Sequence, residues 1–114
     1  MRNATIYLKD ILEAIEAIEK FVERVNFEDF KNDDMRSSAV IRKFEIIGEA
    51  TKNIPEEIKQ GYPQAPWKNM AGMRDRLIHF YFGIKYELVW NAAKIDVPKI
   101  KVLINKMLGE LEKD

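Results

Sequence analysis

Four polar side chains lie within eight residues of one another: Arg74, Asp75, His79 and Tyr81. His79 is the single histidine of the chain, and imidazole is the side chain whose ordinary pKa, about 6.5, allows proton traffic near neutrality. A guanidinium such as that of Arg74 stays charged and offers paired donors that match phosphate oxygens. A carboxylate beside an imidazole orients the ring and favours its protonated form, a role open to Asp75. Proton transfer next to a bound phosphate is the chemistry these types suit.

The spacing predicts a helix over residues 66–82. At about 100° per residue, Met70, Met73, Leu77, Phe80 and Ile84 fall in one stripe about 80° wide, which reads as the core face. Asp75 and His79, four apart, stack on the opposite side. Arg74 and Tyr81 align beside the stripe, where each needs a polar partner. On an ideal helix Arg74 and His79 diverge by about 140°. They share a substrate only if the arginine curls round, the helix bends or a second subunit supplies one of them, and a site at a dimer seam is the expected solution.

The elements that carry this stretch read as helical throughout. Ile11, Ile15, Ile18, Val22 and Val25 recur at three or four, with Leu8 and Leu12 widening the stripe. Asn3 or Thr5 is the candidate cap of this first helix, which should run to about Val25 before an acidic connector over residues 26–34. A second helix opens near Asp33 or Asp34, buries Val40, Phe44, Ile47 and Ala50, and stops at Ile54-Pro55. Pro55-Glu56-Glu57 opens a short helix that Gly61-Tyr62-Pro63 closes. Gly83 suits the end of the motif helix. Residues 86–95 and 97–111 form two further helical stretches, with Asp96 as cap and Pro98 in the first turn. Glu13, Glu16, Glu19 and Glu23 read as a solvated face, and Trp67 and Trp90 as packing residues. The expected fold is all-α: an up-and-down helical bundle of four long helical segments plus a short helix, in one domain over residues 1–114.

Composition narrows the chemistry. Nineteen bases against nineteen acids leave a formal charge of zero in 114 residues, which disfavours a DNA-coating role built on phosphate neutralisation. Residues 66–82 are locally positive, three bases to one acid. With no cysteine there is no disulfide framework, thiolate zinc site or cysteine nucleophile. A single histidine means that a two-histidine metal site needs a second subunit. No apolar run reaches the roughly 18 residues of a membrane helix, and the opening residues lack the apolar stretch of a signal peptide. A cytoplasmic location without membrane contact is expected.

Residues 74–81 spell Arg-x4-His-x-Tyr with a polar residue directly after the arginine. This resembles the signature of the HepT-like ribonuclease toxins, within the wider HEPN superfamily of helical nucleases. The resemblance extends to residues 42–50, similar to the family's second-helix stretch, to the lead-in over residues 66–73 and to the exit Phe82-Gly83-Ile84. It implies a HEPN-like bundle acting as a metal-independent RNA endonuclease, with no cofactor, as the toxin of a type VII toxin–antitoxin pair. It also implies a homodimer with the cleft at the interface, and a MntA-type nucleotidyltransferase antitoxin that transfers AMP to the motif tyrosine. Carried onto this chain, Arg74 and His79 become the catalytic pair, Asp75 the supporting residue and Tyr81 the AMPylation acceptor. The chain departs from many relatives in having Asp75 where they have asparagine.

Cleavage of RNA by internal transfer needs a base for the 2′-hydroxyl proton, positive charge for the phosphorane and an acid for the leaving 5′-oxygen, all within the means of a histidine and an arginine. Two other readings remain open at this point: a non-catalytic helical module that binds a nucleotidyltransferase and its nucleotide or substrate, and a plain dimeric interaction bundle.

Overall fold

The computed structural model describes residues 2–79 and 83–113. Tyr81, Phe80 and Phe82 lie outside the described residues, as does the side chain of His79.

Helix α1, Arg2–Val22, buries Ala4, Leu8, Ile11, Ala14, Ile15, Ile18 and Val22, one apolar face at three- and four-residue spacing. It begins ahead of Asn3 and Thr5, so neither stands at its N-cap, and it ends three residues before Val25. Arg24 follows with φ of 61°, the left-handed conformation that turns a chain out of a helix.

The expected connector contains a helix of its own, α2, Phe27–Asn32. The Asn26 side chain accepts from the Asp29 backbone N–H at 2.8 Å, and Glu28 and Asp29 favour the positive end of the turn. Its reason to exist is Phe30, fully buried with its ring centroid 5.2 Å from that of Trp90.

Helix α3, Asp34–Lys52, starts where expected: the Asp33 carboxylate accepts from the Arg36 backbone N–H at 3.0 Å. Arg36 also donates to the Phe21 carbonyl, fastening the start of α3 to the end of α1. Val40, Phe44, Ile47 and Ala50 are buried as expected. The buried hydroxyl of Thr51 donates to the Ile47 carbonyl at 2.7 Å, so its polarity is satisfied inside the helix.

Helix α4, Glu56–Gly61, follows Pro55. The loop after it is held by Trp67, whose indole N–H donates to the Lys59 and Tyr62 carbonyls, and by Tyr62, whose hydroxyl donates to Glu110 at 2.6 Å. That bond to a carboxylate, with some burial, raises the Tyr62 pKa above its ordinary value.

The long helix expected over residues 66–82 does not form. It is replaced by α5, Trp67–Ala71, and α6, Met73–Leu77, offset at Gly72, and then by a two-residue strand β1, Ile78–His79, paired antiparallel with β2, Gly83–Ile84.

Helix α7, Tyr86–Asn91, passes through a π-helical turn, Ala92–Asp96, directly into α8, Val97–Leu111. Asp96 is helical and makes no side-chain cap, contrary to expectation. The reason lies at Pro98, which has no N–H and whose ring crowds the carbonyl four residues back. One widened turn, in which the Val97 N–H reaches the Ala92 carbonyl, lets the helix continue past it.

The architecture is all-α, as expected, with α1 packed against α3 on one side and α8 on another. The long segment expected over residues 66–82 is what the structure corrects.

Candidate active site

Met70, Met73 and Leu77 are buried, the first three members of the expected stripe, and they anchor α5 and α6 to the core. Their burial survives the break because the offset at Gly72 keeps the spacing of Met73 and Leu77 intact. Arg74, Asp75 and Arg76 are thereby left on the outer side. The Gly72 N–H closes α5 on the Lys68 carbonyl, and its own carbonyl accepts from Arg76, so one glycine ends one helix and starts the next.

After Leu77 the sequence turns to β-branched and aromatic residues, Ile78 and the run 80–82, which favour extended backbone. Ile78 pairs with Ile84 and His79 with Gly83, and the Lys85 N–H donates to the Leu77 carbonyl at 3.1 Å. Gly83 returns the chain with φ of 82°, a conformation that suits glycine. His79 therefore sits on the outgoing arm of a small hairpin, five residues on from Arg74. The four-apart helical stacking of Asp75 and His79 and the 140° divergence of Arg74 and His79 do not apply, since α6 stops at Leu77.

The Arg74 side chain is about half exposed, at 48%. Two carboxylates approach it from different elements: Glu45 Oε2 of α3 lies 3.6 Å from Nε, and Asp75 Oδ1 lies 3.5 Å from Nη1. Both distances are longer than a good hydrogen bond, so the guanidinium is held by charge in a wet setting and can still donate to an incoming anion. Asp75 thus lies beside the guanidinium of Arg74, its neighbour in sequence.

These residues line an open groove of about 380 Å³ between α3 and the α5–α6 joint. Arg42, Glu45, Glu49 and Lys52 form its α3 wall, at spacings of three, four and three, and Ala71, Arg74 and Asp75 the other. The sequence marks residues 42–50 by resemblance but gives Arg42, Glu45, Glu49 and Lys52 no role at the site. The signal of this wall was available: a polar stripe at helical period on the side of α3 away from Phe44 and Ile47. Arg76 points elsewhere and donates to the Asn69 carbonyl at 3.3 Å. Trp90 packs in an aromatic cluster with Phe27 and Phe30, with the Lys94 ammonium 5.4 Å from its ring centroid, and Trp67 packs against the core, as expected of both. Of the first-helix acids, Glu19 pairs with Lys101 at 2.8 Å, a bond that raises the lysine pKa. No helix among the described residues is long and apolar enough to cross a membrane.

Comparison with known proteins bears on what this groove is for. Residues 11–107 match the family described as "Ribonuclease HepT-like". A relative from Thermococcus cleftensis, named "Probable ribonuclease HepT", is 50% identical over 93% of this chain and 96% of its own length. A chain of Methanocaldococcus jannaschii named "Putative RNase" is 43% identical over 97% of this chain and 92% of its own. One of the same description from Caldanaerobacter subterraneus is 39% identical over 95% and 96%. No solved structure was found to match. With a family match across most of its length and relatives covered nearly end to end, the chain belongs to the HepT-like ribonuclease family.

Proposed function

We propose that this protein is a metal-independent RNA endonuclease that works as the toxin of a toxin–antitoxin pair, with Arg74 and His79 as its catalytic residues. The observation that carries the reading is the setting of Arg74: a half-exposed guanidinium at an open groove, flanked by two carboxylates, on the short helix that leads into the strand bearing His79. A guanidinium so placed accepts a phosphodiester and stabilises the charge that grows on its oxygens. His79 takes the 2′-hydroxyl proton, the oxygen attacks the adjacent phosphorus, and a proton is returned to the departing 5′-oxygen. The products are a 2′,3′-cyclic phosphate and a 5′-hydroxyl. In a homodimer with the groove at the seam, a histidine of either copy is available to an arginine of the other. Asp75 supports Arg74 by charge.

Tyr81, two residues beyond His79, is the acceptor for AMP from a MntA-type nucleotidyltransferase antitoxin. The adenylyl group adds bulk and negative charge where substrate phosphate must sit, and silences the enzyme by occlusion and like-charge repulsion.

The test is incubation of purified protein with RNA in EDTA, wild type against His79→Ala and Arg74→Ala. Cleavage to cyclic phosphate ends by the wild type, with a loss of about 10²–10⁴-fold for His79→Ala, is expected. Undiminished cleavage by that variant removes the histidine from the chemistry. Tight binding of nucleotide or antitoxin with no cleavage by the wild type favours a non-catalytic module instead.

A further inference from the structure

We infer that Glu45 is a positioning residue for the nuclease reaction, acting through Arg74; the inference rests on the proposed role of that arginine. Two independent features of α3 point to it. The first is the ion pair across the groove, Glu45 Oε2 to Arg74 Nε at 3.6 Å, which among the described residues ties this guanidinium to another element of the fold. Asp75 approaches from the adjacent position on the same short helix and is 77% exposed, so it moves with Arg74 and cannot fix it relative to the protein body. Glu45 can, because its helix is 19 residues long and packed along α1.

The second feature is one turn further along α3. Gly48 lets the α5–α6 joint lie directly on the helix: a Cβ at this position would stand 3.1 Å from the Ala71 carbonyl oxygen and 3.5 Å from that of Met70. The backbone spacing that brings Arg74 within reach of Glu45 is set by this close approach.

The division of the guanidinium follows. Glu45 is nearest Nε and Asp75 nearest Nη1, so Nη2 is the nearest nitrogen of neither carboxylate. A phosphate arriving on that side meets a donor already aimed, and orientation set before binding is what speeds a reaction held to sub-ångström tolerances. Glu45 also carries a negative charge facing a polyanionic substrate. It therefore opposes ground-state binding while it favours the reactive geometry, and those two effects separate in kinetics.

The experiment uses the full chain, an oligoribonucleotide substrate and single-turnover kinetics with enzyme in excess, on Glu45→Gln, Glu45→Asp, Arg74→Ala and the Glu45→Gln/Arg74→Ala double variant. Glu45→Gln is expected to lower the maximal cleavage rate about tenfold while the half-saturating concentration stays level or falls. Glu45→Asp restores the charge and recovers part of the rate. In the Arg74→Ala background the glutamate substitution has no further effect on rate, which a merely structural residue would not obey. A rate unchanged in Glu45→Gln, or a loss of the same size with and without Arg74, overturns the inference while leaving the arginine's role intact. Cleavage at the wild-type rate by Arg74→Ala alone overturns the reading of the site, and the positioning role with it. Thermal melts of each variant confirm that the folded enzyme is being compared.

Discussion

Gly48 of α3 and Ala71 at the end of α5 approach so closely that a side chain of even one carbon at residue 48 would press on the Ala71 carbonyl oxygen at 3.1 Å. The contact places the start of α6 against the middle of α3, and it is backbone that must yield if the space is filled. Everything that faces the groove from the α6 side inherits its position from this crossing.

Gly48→Ala should consequently separate stability from activity. Alanine is favoured over glycine in a helix interior by about 1 kcal/mol, which offsets the cost of easing the two segments apart by a few tenths of an ångström. The melting temperature should stay within a few degrees of wild type, while RNA cleavage falls because Arg74 is carried away from Glu45. Gly48→Val overfills the crossing and should destabilise by about 1–3 kcal/mol. Denaturant melts beside cleavage assays on both variants check this, and an alanine variant with full activity would mean the crossing does not set the site.

Phe30 plugs the core from a helix of only six residues, and its ring meets Trp90 at 5.2 Å. Phe30→Ala should cost about 3–5 kcal/mol, the range for deleting a buried aromatic ring. Urea unfolding measures it, and a red shift of tryptophan emission in the native state would report the opened cluster around Trp90.

Why α2 escaped the periodicity, and the break at Gly72 did as well, has a common physical root. Periodicity is a statistic of long elements, and α1, α3 and α8 show it because each buries one face over many turns. Phe27 and Phe30 are too few to make a period, although Asn26 before Glu28-Asp29 is a legible helix start. Over residues 70–84 the opposite holds: Met70, Met73 and Leu77 of the expected stripe are buried at helical spacing although the helix breaks, Ile84 is half-buried, and Phe80 lies outside the described residues. Ile78 and the aromatic run after it carry strand preference that the period ignores, and Gly83 takes a left-handed conformation inside a hairpin rather than after a helix. At the site, the identities of Arg74 and Asp75 are readable, and a polar stripe marks the face of α3 that carries Glu45. The pairing of Glu45 with Arg74 is not readable, because it joins residues 29 apart in the chain, which no local spacing encodes.

Asp33 gives the fold a defined response to acid. Its carboxylate is held below its ordinary pKa, first by the hydrogen bond from the Arg36 backbone N–H and further by the Arg36 guanidinium 3.2 Å away. A depressed folded-state pKa means that this stabilisation is complete above the unfolded value, about 3.9, and is lost as pH falls through the folded one. The melting temperature of Asp33→Ala should therefore lie below wild type by a constant amount from pH 7 to about pH 5, and the gap should close in more acid solution. Asp33→Asn, which keeps the cap without the charge, should show a smaller gap at neutral pH. Parallel melts across that range are the measurement, and a gap that persists undiminished at pH 2 would show that charge on Asp33 contributes nothing.

The proposed control by adenylylation makes its sharpest prediction at Tyr81. The phenol oxygen is the nucleophile toward the α-phosphorus of ATP, pyrophosphate leaves, and the enzyme gains one phosphodiester carrying a negative charge. Tyr81→Phe removes only that oxygen, so the variant should cleave RNA in EDTA within about twofold of wild type yet resist silencing by a co-expressed MntA-type nucleotidyltransferase with ATP. Mass spectrometry of the wild type should show the mass of added AMP on the peptide containing residue 81, and none on that of the variant. Modification of the phenylalanine variant, with loss of its activity, would place the acceptor elsewhere and require a different explanation of how the proposed toxin is restrained.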